Sequence, residues 1–194
     1  MALQTAPGIE TDARRHRFLL VRRTAAALML AAVAALAIGP GPLLLGPLAV
    51  AAVTLDLVRI DVESSRLPNR LVLPCYPAAI AGIALHGILT GSPPTVALAA
   101  GAAWFGFFLL LNLGGGMGMG DVKLAGVLGL CLGSFGVVPA VLGIVLAFVA
   151  GGVAGVVVLA RRVGGRHTRI PFGPFLLAGF WVTLALAPMT GSTP

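Results

Sequence analysis

PTVALAAGAAWFGFFLLLNLGGGMGMGDVKLAGVLGLCLGSFGV, residues 94–137, sets two apolar runs on either side of a glycine-rich segment that carries one aspartate. A helix needs about 20 apolar residues to cross a bilayer, so runs 94–113 and 122–137 read as two crossings joined by a short connection. Within that connection, residues 114–124 hold five glycines and Asp121. An acid on a flexible joint between oily helices is costly, and the rest of the chain has to explain it.

The surrounding sequence is of the same kind. Of 194 residues, 58% are hydrophobic and 10% charged, and the mean hydropathy is +1.03. These values lie outside the soluble range and predict an integral membrane protein. Strand alternation is absent, which excludes a barrel and leaves an all-α helix bundle in which each backbone group is satisfied within its own helix. Seven spans are predicted, at 20–38, 42–58, 71–90, 94–113, 122–137, 139–160 and 171–188, the fifth being the shortest. The domain reading is a basic N-terminal tail over 1–19 and one membrane-embedded domain over 20–194. The oily run after Arg23 is followed by further spans, so it reads as an anchor and not a cleaved signal.

A net charge of +7 would suggest nucleic acid in a soluble protein, but here the positions matter more than the sum. The thirteen Lys and Arg residues form four clusters: Arg14, Arg15, Arg17, Arg22 and Arg23; Arg59, Arg66 and Arg70; Lys123; and Arg161, Arg162, Arg166 and Arg169. Even numbers of crossings separate the clusters, so all of them fit on the cytoplasmic side with the N-terminus inside and the C-terminus outside. No nucleic-acid partner is needed. The GPGP turn at 39–42, the HGILTGSPPT loop at 86–95 and Ser134–Pro139 are then external. Cys75 and Cys131 read as buried thiols without metal-ligand spacing, and no metal or cofactor is expected. Gly129 and Gly133, and Gly151 and Gly155, stand at a spacing that permits close helix approach, although glycine is frequent enough here for chance.

Six acids remain: Glu10, Asp12, Asp56, Asp61, Glu63 and Asp121. Glu10 and Asp12 belong to the solvated tail. Asp61 and Asp121 stand at the cytoplasmic ends of spans, where an ionisable group is a functional candidate. Asp56, deeper in span two, competes with Asp61. The glycines 114, 115, 116, 118 and 120 favour a hinge that lets another backbone approach; no GK[ST] follows for a P-loop and no GxGxxG register fits. Pro68 and Asn69 form a helix entry, which puts Asp61 in a turn between two spans. Glu63 either is solvated or attracts a basic substrate segment, and Lys123 either tunes Asp121 or marks the membrane border. His16, His86 and His167 read as solvated or interfacial. Pro171 and Pro174 around Gly173 leave backbone groups unpaired, which is tolerated at membrane depth only where they are buried or face a cavity.

IDVESSRLPNRLVLP at 60–74, GMGMGDVKLAG at 116–126 and IPFGPFLLAG at 170–179 resemble, in order and spacing, the three signature stretches of the type IV prepilin peptidase family, the bacterial branch of the GxGD membrane aspartic proteases. The resemblance implies that Asp61 and Asp121 are the catalytic pair, with Gly118, Gly120, Pro68, Asn69, Glu63, Lys123, Pro171, Gly173 and Pro174 around them. It implies cleavage of the short basic leader of pilin-like precursors at the cytoplasmic face of a bacterial inner membrane, by two carboxylates that share a proton and activate water. Many members also carry two CxxC pairs between their first two spans, linked to N-methylation of the product. This sequence has a GPGP turn there, which predicts peptidase activity without methyl transfer and without zinc. Rival readings are a proton-coupled transporter, which predicts acids near the midplane in related halves, and an inactive pilus-assembly scaffold.

Overall fold

The structure, a computed structural model, describes residues 7–160 and 171–187. All secondary structure among them is helical: α1 (Pro7–Ile38), a short 3-10 turn (Pro42–Leu44), α2 (Leu45–Ser64), α3 (Asn69–Val72), α4 (Cys75–Thr90), α5 (Thr95–Leu113), α6 (Met119–Gly133), α7 (Val137–Ala160) and α8 (Gly173–Leu186). This is the all-α polytopic bundle that composition predicts. Five stretches are long and apolar enough to cross a membrane, namely Leu20–Ile38, Pro42–Ser64, Asn69–Thr90, Thr95–Leu113 and Val137–Val158.

The other two expected spans are shorter. Helix α6 has 15 residues and α8 has 14, so at 1.5 Å per residue each is only about 22 Å long. Helix α6 starts earlier than expected, because the glycine connection already turns into helix at Met119, and it stops at Gly133. Its length need not match a bilayer because it is sheathed by protein: Val122 and every residue from Leu124 to Gly133 are buried. Helix α1 extends back to Pro7, into the stretch expected as a tail. The basic segment 161–169 and the residues after 187 lie outside the described residues.

Glycine packing holds α6 against α5. A Cβ on Gly129 would lie 2.8 Å from the Ala100 carbonyl oxygen, and one on Gly133 would lie 2.9 Å from Ala97 Cα. On the facing helix, a Cβ on Gly101 would come within 2.6 Å of Leu130. These pairings run in opposite directions along the two helices, so α5 and α6 form an antiparallel hairpin. The spacing of Gly129 and Gly133 therefore serves close approach. Gly151 faces the Phe172 ring.

Polar cross-links within the bundle are few and specific. Trp181 Nε1 donates to Thr54 Oγ1 at 3.1 Å, and Thr54 in turn donates to the Val50 carbonyl at 2.7 Å, which joins α8 to α2. Arg23 on α1 pairs with Asp56 on α2. The connections sort to two ends of the bundle: residues 65–68, 114–118 and 171–172 at one, and 39–44, 91–94 and 134–136 at the other.

Gly133→Val should destabilise the protein by about 1–3 kcal/mol, because the new side chain overpacks the α5–α6 contact. Gly152→Ala, where a Cβ meets nothing within 4 Å, should leave thermal unfolding in detergent or nanodiscs unchanged. Equal melting of the two variants would disprove the packing account.

Candidate active site

Helix α2 does not end at residue 58 as the hydropathy pattern suggests. It runs on to Ser64, so Asp61 sits in its last turn and not in the connection. The segment RIDVES contains no helix breaker, and on its exposed side Arg59 Nε bonds Glu63 Oε1 at 2.8 Å, an i,i+4 pair that favours helix. The helix stops where the Ser65 N–H donates to the Asp61 carbonyl at 2.7 Å and Ser65 turns left-handed, with φ 49° and ψ 40°. Three residues on, Pro68 in extended conformation starts α3 at Asn69, as the Pro-Asn pair predicts.

Asp61 is 3% exposed. Its Oδ2 accepts the backbone N–H of Gly173 at 2.9 Å, a bond that joins residues 112 apart. This donor is at the first turn of α8, where helix N–H groups lack intrahelical partners and the helix dipole favours negative charge. The approach requires glycine: a Cβ at 173 would stand 2.8 Å from Asp61 Oδ2 and 3.3 Å from Leu67 Cδ1. Pro171 and Pro174 bracket that donor, and Pro171 faces a cavity.

Asp121 occupies the first turn of α6. The glycine loop reverses direction through Gly115, whose φ of +77° suits glycine alone. It then reaches Gly118, extended at φ −78° and ψ 148°, whose N–H donates to Asp121 Oδ2 at 3.3 Å. This is the carboxylate half of a capping box. The other oxygen, Oδ1, is buried without a hydrogen-bond partner among the described residues. Burial, reinforced by the Asp61 carboxylate and opposed by the Gly118 N–H, pushes Asp121 up from 3.8 to about 7.

Both acids line one cavity of about 170 Å³, together with Ser65, Gly115, Gly116, Met117, Gly118, Pro171 and Phe172. The structure thus brings together Asp61, Asp121, Gly118 and Pro171 of the sequence candidates. At Gly120 the chain makes a close approach: a Cβ there would stand 2.7 Å from Leu67 Cβ. Lys123 points away from Asp121 and donates to Asn69 Oδ1 at 3.0 Å. Glu63 is on the exposed side of α2 with Arg59 and does not line the cavity. Asp56 is held by Arg23 of α1, remote from the cavity lining.

Sequence reasoning passed over Ser65, Met117 and Phe172 as lining groups. All three lie inside the quoted motifs, yet nothing in residue type distinguishes them from neighbours that face elsewhere. Phe172 also closes an aromatic cluster, with ring centroids 5.2 Å from Phe148 and 6.0 Å from Phe108.

Residues 48–158, more than half of the chain, match the model of the Type IV leader peptidase family. The chain is similar to proteins named prepilin leader peptidase/N-methyltransferase. It is 33% identical over 127 residues to that of Xanthomonas campestris pv. campestris, which covers 63% of this chain and 43% of the relative. For that of Aeromonas salmonicida the figures are 31% over 160 residues, 80% and 54%. For that of Pseudomonas aeruginosa they are 35% over 131 residues, 64% and 43%. The chain spans about half the length of the curated relatives it matches. No solved structure gives a significant match.

The raised Asp121 has a consequence for stability. Between its ordinary value of 3.8 and about 7, the folded protein holds a proton that the unfolded chain has released, so stability falls as pH rises through this window. Asp121→Asn removes that proton-linked loss. The variant should melt with wild type at pH 4 and above it at pH 8, and identical melting curves at both pH values would contradict the buried, proton-holding carboxyl.

Proposed function

The chain belongs to the type IV leader peptidase family, and from that premise we propose that it is a membrane-embedded aspartic endopeptidase that removes the short basic leader from pilin-like precursors. The observation that carries the reading is the shared cavity: Asp61 from α2 and Asp121 from α6 line one space bordered by a glycine loop. Two carboxyl groups so placed hold one proton between them in the working state, because like charges at short range cannot both ionise comfortably.

The neighbours divide the roles. Asp61 has the Gly173 N–H and the N-terminus of α8 to stabilise its anion, so it is the base that takes a proton from water. Asp121, half-buried and raised, keeps its proton. Its Oδ1 has no other partner among the described residues and serves to donate that proton toward the scissile carbonyl. Water adds to the carbonyl carbon as its proton passes to Asp61, and collapse of the tetrahedral intermediate returns a proton to the leaving amine. The extended substrate backbone lies along Gly115, Gly116 and Gly118, where no side chain obstructs it.

The clustering of basic residues on one set of connections favours a cytoplasmic location for this end, with the N-terminus inside. The chain has two cysteines, Cys75 and Cys131, both buried, and its 39–44 connection is a short turn with no cysteine. This supports leader cleavage without methylation of the new N-terminus. The lipid bilayer and the precursor's apolar helix are the partners of this reading.

The test is cleavage of a pilin-like precursor in membranes with matched protein content. Asp61→Asn and Asp121→Asn should each lower the rate by roughly a hundredfold or more, while Asp56→Asn should retain it. Gly173→Ala should also lose activity, because its methyl displaces Asp61. The rate should fall on the alkaline side near pH 7, as Asp121 loses its proton. Full activity in either aspartate variant would refute the dyad.

A further inference from the structure

Helix α6 begins directly after a loop with almost no side chains, so the position of Asp121 must be set by groups outside that loop. Three polar contacts do so. Asn112, at the end of α5, donates through Nδ2 to the Met117 carbonyl at 2.7 Å and closes the loop from one side. Lys123 reaches Asn69 on α3. From α4, Tyr76 donates its hydroxyl to the Lys123 carbonyl at 2.8 Å. Of these, the tyrosine contact alone grips the backbone of the helical turn that carries Asp121.

The surroundings of Tyr76 are built for that contact. It is the single tyrosine of the chain and sits one residue into α4, where Cys75, one residue before it, and Val72 on α3 are both buried. The facing residue on α6 is Gly126, where an added Cβ would collide with the Tyr76 hydroxyl and approach the Phe105 ring at 3.2 Å. The absence of that side chain is what lets the phenol reach the main chain.

On the reading that Asp61 and Asp121 form the catalytic pair, we propose that Tyr76 is a positioning residue: its hydroxyl, held against the α6 backbone two residues past Asp121, sets the depth at which Asp121 faces Asp61. Tyr76 does not line the cavity and takes no part in proton transfer. Removing the hydroxyl frees the first turn of α6 to shift on its glycine lead, which moves the Asp121 carboxyl outward while the ring still fills its place. Catalysis depends steeply on such placement, whereas precursor binding through other contacts does not.

Tyr76→Phe tests this, because it deletes one oxygen and keeps the packing. The expected result is a kcat lower by about three- to tenfold, the range of one ordinary hydrogen bond, with KM unchanged and the melting temperature close to wild type. The alkaline limb of the pH–rate profile should move to lower pH as Asp121 becomes more solvated. Gly126→Ala displaces the same hydroxyl by another route, so its effect on kcat should be smaller in the Tyr76→Phe background than alone. Wild-type kcat and pH profile in Tyr76→Phe, or a loss that tracks melting temperature, or strict additivity of the two substitutions, would each overturn the assignment. A wild-type protein that leaves the precursor uncut would instead defeat the peptidase reading, and the two failures are therefore distinguishable.

Discussion

A carboxyl group inside an apolar bundle needs a partner, and the arrangement of this molecule follows from giving one to Asp61. Among the described residues the partner is not a cation. It is the Gly173 N–H at the head of α8, a donor that the helix cannot use itself. For this bond to form, α8 must start at the level of the last turn of α2, residue 173 must lack a side chain, and the two helices must stay in register. The Trp181–Thr54 bond two turns farther along supplies that register. Asp56, one turn earlier on α2, shows the alternative. It has Arg23, which neutralises its charge and leaves it no part in the cavity.

The second acid is placed by a different device. Helix α6 is enclosed by its neighbours over nearly its whole length, so its own length and polarity are released from the demands of a lipid-facing span. That freedom is what allows a helix to begin with an aspartate and be preceded by glycines. In exchange, α6 depends on close contact with α5 for its position, and Gly101, Gly129 and Gly133 provide it. The glycines within the helices and those within the loop thus do separate jobs. The former bring backbones together, and the latter keep a space clear.

Much of this was legible from residue order alone. The apolar runs located the helices, and the motifs singled out, from six acids, the two that line one cavity. What could not be read was anything that depends on the direction of a side chain or on a backbone group. Hydropathy stopped α2 at residue 58, because Asp61 and Glu63 look like loop residues when the Arg59–Glu63 pair and the buried environment of Asp61 are not in view. That Leu67 lies against Gly120 was equally out of view. The partner of Asp61 is a main-chain N–H, which carries no residue signature. Tyr76, as an aromatic in an apolar helix, gave no sign of the carbonyl it would meet 47 residues away.

The glycine loop reconciles two opposed requirements of the cavity. A backbone must be able to lie across it, which calls for open space without side chains, yet Asp121 at its end must be held to within a fraction of an ångström if two carboxyl groups are to work on one bond. A glycine-rich loop satisfies the first and by itself defeats the second. The structure separates the two functions along the chain: residues 114–118 carry Met117 as their one side chain, and the groups that fix them come from outside, from Asn112 on one side and from Lys123 and Tyr76 on the other. Bare backbone pinned at both ends is open to a ligand without being mobile at its termini. The two aspartates, identical as residues, then differ only in surroundings: Asp61 accepts the N–H at the head of another helix, whereas Asp121 accepts the Gly118 N–H at the head of its own and keeps its second oxygen unpartnered among the described residues.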